Sequence, residues 1–190
     1  MKPSILVHIC CAPDALYVMK LLKERYRVTG YFYNPNIYPG KEYQLRLEET
    51  RKVAQSMPFD LLEGDYDASF WLAKTKRFKK EPEKGLRCDI CYALRLDRTA
   101  RRASSEGYDY FTTVMSLSPW KKAAVLNRIG RMLGNKYKIS FFESDFKKKD
   151  GFKKSVELSL RFGLYRQNYC GCIYSFQEME KRRKVKKDRG

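Results

Sequence analysis

Apolar positions fall in short runs separated by longer amphipathic stretches, the rhythm of alternating strands and helices. The first run, "SILVHI" at residues 4–9, lies between Pro3 and two cysteines and fits a buried parallel strand better than an amphipathic helix. A helix is predicted next through "DALYVMKLLKERY". Pro13 suits its first turn, where the missing N–H is not needed, and Leu16, Met19, Leu21 and Leu22 supply its apolar stripe. The unit then repeats, with "RVTGYFY" as a strand, "NPNIYPG" as a turn-rich loop, "EYQLRLEETRKVAQSM" as a helix and "FDLLEG" as a third strand. Further on, "YDYFTTVM" and "YKISFF" are strand candidates. They flank "PWKKAAVLNRIGRMLGN", a helix expected to open at Pro119 and close near Gly134.

This βαβ order predicts a single α/β domain with a Rossmann-like, doubly wound, mostly parallel sheet and helices on both faces. Ligands of such sheets sit beyond the carboxyl ends of the strands, so the loops "CCAPD" and "MSLSPWK" are expected to line one crevice. "NPNIYPG" holds the equivalent place after the second strand, although any tight turn has the same composition. The domain is taken as residues 1–180. Residues 181–190, "KRRKVKKDRG", have too little apolar content to pack and form a basic C-terminal extension of the last helix.

Composition narrows the class. The chain has 190 residues and no apolar stretch near the ~20 residues of a membrane span, nor a basic and apolar leader, which predicts a soluble cytoplasmic protein. Lys and Arg number 40 against 22 Asp and Glu, a formal charge of +18 that suits a polyanion such as nucleic acid. A solubilising or thermophile-type surface is the alternative. Arg95, Arg98, Arg101 and Arg102, along "YALRLDRTARRA", suggest a phosphate-facing helix surface, or simply a solvated one.

All six cysteines fall in close pairs: Cys10 with Cys11, Cys88 with Cys91 as "CDIC", and Cys170 with Cys172 as "CGC". In a reducing compartment this argues for metal or redox chemistry over structural disulfides. With His8 the only histidine, a histidine-rich zinc site or a Cys-His dyad has almost no material. Cys10, Cys11, Cys88 and Cys91 make a four-thiolate set, which suits zinc or an iron-sulfur cluster. Adjacent cysteines favour the larger object, because successive side chains on extended backbone diverge. Buried small hydrophobes remain the alternative for "CC", and a thioredoxin-like motif for "CDIC". A disulfide across "CGC" would be strained and easily reduced, which suits a redox role; two further ligands or inert thiols are the other readings.

Taken in order, "HICCAPD", "LRCDICYALRL", "TTVMSLSPWK", "ESDFKKKDGF" and "ELSLRFGLYRQNYCGCIYS" resemble the QueH type of epoxyqueuosine reductase over nearly the whole chain. The resemblance implies the last step of queuosine synthesis, in which an epoxide at the tRNA wobble base is reduced to the alkene with loss of water and without cobalamin. It implies that Cys10, Cys11, Cys88 and Cys91 hold a [4Fe-4S] cluster and that Cys170 and Cys172 form a redox-active disulfide pair. It also implies a second iron beside the cluster, for which Asp14 is the nearest oxygen ligand; Asp14 is equally placed to cap the first helix. The partners would be tRNA carrying epoxyqueuosine in its anticodon and an electron donor. Tyr165, Arg166, Tyr169 and Tyr174 are candidates for base stacking and phosphate contact. Two other classes remain, a zinc-stabilised RNA-binding module without catalysis and an ATP-dependent tRNA thiolase of related fold. The thiolase needs a glycine-rich phosphate loop that "CCAPD" does not supply.

Overall fold

Because residues 4–9 are buried along their whole length, they can only be a central strand, covered on both faces. In the computed structural model, which describes residues 1–187, they form β1 (Ser4–Ile9). There follow α1 (Ala12–Leu22), β2 (Arg27–Phe32), α2 (Gly40–Ser56), β3 (Asp60–Glu63), α3 (Ala68–Thr75) and α4 (Leu86–Ser105). The chain continues through β4 (Tyr110–Thr113), α5 (Ala123–Tyr137), β5 (Ser140–Phe141), α6 (Gly151–Arg161) and α7 (Ile173–Lys187). The strand order is β3-β2-β1-β4-β5, and every pairing is parallel. The expected Rossmann-like sheet is present, with no antiparallel member among the described residues.

Alternation along β1 assigns its two faces. Ile5, Val7 and Ile9 pack with Ala15, Val18, Met19 and Leu22 of α1, whereas Leu6 meets Ala100 and Ala103 of α4 and Phe111 of β4. Helices α2 and α6 lie beside α1, and α3 and α5 beside α4, giving a helical layer on each side. Of the expected stripe on α1, Leu16, Met19 and Leu22 are buried and Leu21 is exposed. No helix among the described residues is long and apolar enough to cross a membrane.

The helix expected at Pro119 instead begins at Ala123. The apolar run after β4 turns at once into a 3-10 segment, Val114–Leu117, which starts where Thr113 Oγ1 accepts the Met115 N–H. Pro119 lies in the turn that follows. At its other end α5 passes Gly134 and stops at Lys138, which adopts the left-handed conformation (φ 55°). Gly134 is kept for close approach: a Cβ there would stand 2.7 Å from the Ile139 carbonyl oxygen. The basic extension is continuous with α7, which runs unbroken past residue 180 to Lys187. Residues 188–190 of that extension lie outside the described residues.

Gly130 gives a direct test of this packing. A Cβ on it would enter the Phe141 ring, which is wedged between α5 and Phe111. Gly130→Ala is therefore expected to lower stability by about 1–3 kcal/mol, seen as a lower urea midpoint with an unchanged slope. An unaltered midpoint would mean that Phe141 moves aside freely.

Candidate active site

In a sheet ordered 3-2-1-4-5 the connections from β1 and β4 leave in opposite directions, so a crevice opens between their carboxyl ends. Cys10 and Cys11 stand at that point. The backbone is still extended at Cys11 (φ −167°, ψ 156°), the N-cap of α1, and the two side chains therefore leave the strand on different sides before the helix starts. Asp14 is in the first turn but does not cap the helix, because the cap position is Cys11 and makes no side-chain cap bond. Its carboxylate instead faces the thiols: ligand atoms of Cys10, Cys11 and Asp14 all lie within 4.8 Å of one another, and all three residues are buried. In spacing and donor type this trio could hold a metal ion.

Electrostatics in the trio follow from burial. Desolvation, and then the Cys10 thiolate, push the Asp14 carboxyl up to about 7 against the pull of Lys121 and Arg166. Cys10 lies below the ordinary thiol range because Cys11 donates a hydrogen bond to it, with Lys121, Arg95 and Arg46 adding positive potential.

The second cysteine pair comes from α4. Cys88 and Cys91, three residues apart in the first turns, share one helix face and are buried, Cys88 in the same cluster as Cys10 and Cys11. Burial pushes Cys88 up to about 12 and raises Cys91 as well, so both are neutral thiols until a cation draws off their protons. Cys91 packs with Cys172 and Trp71, joining the second pair to the third.

The "CGC" segment is a tight turn on which several bonds converge. Gly171 has φ +123°, a conformation closed to residues with a Cβ, and its carbonyl accepts the Tyr38 N–H at 2.7 Å. Arg46 of α2, buried and paired with Glu42 at 2.7 Å, donates to the carbonyls of Cys170 (3.2 Å) and Tyr169 (3.3 Å). Cys172 is buried, its pKa pushed up to about 11 by that burial and by Cys170, while Cys170 is half-buried and borders the open pocket.

That pocket, about 310 Å³, is bordered by Cys10, Asp14, Cys170, Trp120, Lys121 and Arg166. The expectation that "CCAPD" and "MSLSPWK" line one crevice is met through Cys10, Asp14, Ser118, Trp120 and Lys121. Burial works against the Lys121 charge, but Cys170, Cys10 and Asp14 outweigh it and keep the ammonium protonated. Trp120, 65% exposed, stands at the rim.

The aromatic cluster near "CGC" divides. Arg166 and Tyr169 border the pocket, but Tyr165 fastens α2 by hydrogen bonds to Glu42, and Tyr174 packs under Arg87 and beside Trp71. Sequence reasoning missed Arg46, Lys121 and the inward turn of Arg95. Lys121 had a usable signal in its place at the end of a strand loop; Arg46, in mid-helix, had none. On α4, Arg98 and Arg101 are exposed, but Arg95 is only 2% exposed and is no part of a phosphate-facing surface.

The family described as "Epoxyqueuosine reductase QueH" matches residues 5–178. A Thermotoga maritima protein of that name is 36% identical, with 98% of each chain covered. One from Streptococcus pyogenes serotype M1 is 37% identical over 92% of this chain and 71% of its own. Among solved structures, one described as a "predicted subunit of tRNA methyltransferase" from Methanocaldococcus jannaschii shares the fold, with a TM-score of 0.53 and 13% identity over 80% of this chain and 76% of its own. With a family match spanning every cysteine pair and the Thermotoga maritima relative aligned nearly end to end, the chain belongs to the epoxyqueuosine reductase QueH family.

Proposed function

We propose that this protein reduces the epoxide of epoxyqueuosine in tRNA to the alkene of queuosine. One observation carries the reading: Cys10 and Cys170 border one pocket at the carboxyl end of a parallel sheet, and behind them Cys88 shares a buried cluster with Cys10 and Cys11 while Cys91 packs with Cys172. We assign Cys10, Cys11, Cys88 and Cys91 as ligands of a [4Fe-4S] cluster, Asp14 as a ligand of an adjacent iron, and Cys170 with Cys172 as a redox pair. Four soft sulfur donors fit such a cluster.

The reaction takes two electrons and two protons: the epoxide C–O bonds break, a carbon–carbon double bond forms, and the oxygen leaves as water. When bound, the cluster and its neighbouring iron would supply single electrons and a Lewis acid. The chain's own residues do the rest. Oxidation of Cys170 and Cys172 to a disulfide releases two electrons and two protons, and an external donor must then reduce the pair again. The Lys121 ammonium faces the same pocket and holds positive charge where the oxygen becomes anionic. Trp120 offers a ring at the rim on which a nucleobase can stack, and Arg166 offers a guanidinium for phosphate.

The test is anaerobic purification with iron and sulfide analysis, followed by assay on tRNA bearing epoxyqueuosine with a chemical reductant. Cluster iron and alkene product are expected; a colourless zinc protein without activity would overturn the reading. With a charge of +18, the Michaelis constant for tRNA is expected to rise at least tenfold between about 50 and 200 mM salt. A salt-independent value would limit the basic surface to keeping the protein in solution.

A further inference from the structure

Helix α4 carries a positive charge into the interior directly behind the cysteines. Counting from Cys88, residues 91 and 95 return to the same face after one and two turns, so Arg95 follows the cysteines inward. Its guanidinium donates to Asn34 Oδ1 at 2.7 Å, lies 3.3 Å from His8 Nε2 and 4.0 Å from Cys91 Sγ, and meets no carboxylate. A neutral or protonated imidazole carries no negative charge, so the neighbour that can become an anion is the Cys91 thiol, 4.0 Å away. Burying a guanidinium without an anion is costly, so the anion it serves has to be the sulfur site itself.

A further contact fixes this charge in place. Asn34 also donates to the Ile9 carbonyl at 2.8 Å, so Arg95 is tied to the last residue of β1, next to Cys10, as well as to Cys91 on its own helix.

We propose that Arg95 is the fixed counter-charge of the cysteine site and sets the reduction potential of the metal centre held there. This rests on the cluster assignment above. A cluster on four thiolates gains negative charge when it accepts an electron, and a positive group locked in a dry interior stabilises the reduced form selectively. Arg95 is a positioning and tuning residue; it does not border the substrate pocket.

The experiment compares wild type, Arg95→Met and Arg95→Lys as anaerobic holoproteins, by iron and sulfide content and by optical redox titration. Arg95→Met, which keeps bulk and loses charge, is expected to lower the midpoint potential by at least about 59 mV, a tenfold change in a one-electron equilibrium. Arg95→Lys, which keeps the charge, should recover most of that shift. Loss of iron from the Met variant with retention in the Lys variant also supports the counter-charge role. Equal potentials in all three, or equal loss of iron or fold in both variants, overturn it. Wild-type protein without cluster iron would instead overturn the cluster assignment, so the two failures are distinct.

Discussion

Cys10→Ala is expected to leave a folded chain that takes up little iron or sulfide and has lost at least ~10³-fold of its turnover. The magnitude follows because partners one shell out from a metal already cost about 10–100-fold when removed, and a ligand costs more. Cys10 is the point where the site's parts meet. It belongs to the trio with Cys11 and Asp14, its thiol lies below the ordinary range, and it borders the pocket that also contains Lys121 and Cys170. Removing one sulfur from a buried position should cost the fold itself only about 1 kcal/mol, so the far-UV spectrum and thermal midpoint of the metal-free variant should stay close to those of metal-free wild type. Full iron content and ordinary turnover in this variant would remove Cys10 from the ligand set and return "CC" to core packing.

The strands of the sheet were legible because parallel strands buried on both sides read as short apolar runs, and "SILVHI" is one over its whole length. Element boundaries near the pocket were less so. Pro119 looks like a helix start, but the Thr113 hydroxyl and the 3-10 turn after it consume the residues in between, a local bond that no periodicity announces. The cysteine pairs could be grouped by spacing alone, and α4 turns Cys88 and Cys91 to one side, as a helix must. What spacing could not give is the charge around them. Arg95 sits in a run of arginines that looks like surface, and only its seven-residue offset from Cys88 hints that it turns inward. Arg46 reaches the "CGC" turn from more than a hundred residues away, and such contacts exist only after the chain has folded.

The two ends of the "CGC" turn differ in a way that bears on the proposed redox role. Cys172 is buried against Cys91 and Trp71, on the side of the proposed cluster, whereas Cys170 borders the pocket where substrate would lie. A pair arranged like this could take up electrons at one sulfur and present the other to the reaction; with both thiols free, the Arg46 and Tyr38 bonds hold the turn around Gly171.

Cys170→Ser follows from that difference and is the sharper test of the redox assignment. A hydroxyl keeps the size and polarity of the position but forms no disulfide, so turnover with a chemical reductant is expected to fall by roughly 10²–10³-fold, about 3–4 kcal/mol of barrier. Iron and sulfide should remain at wild-type levels, because Cys170 is not among the four proposed ligands. Thiol titration sharpens the contrast. Wild type exposed to epoxyqueuosine tRNA without reductant should lose two titratable thiols as the disulfide closes, and the variant should lose none. If instead the variant loses iron in proportion to activity, Cys170 is a metal ligand. If it keeps both iron and full turnover, the two electrons come from the metal centre alone, and the glycine between the cysteines serves only to shape the turn.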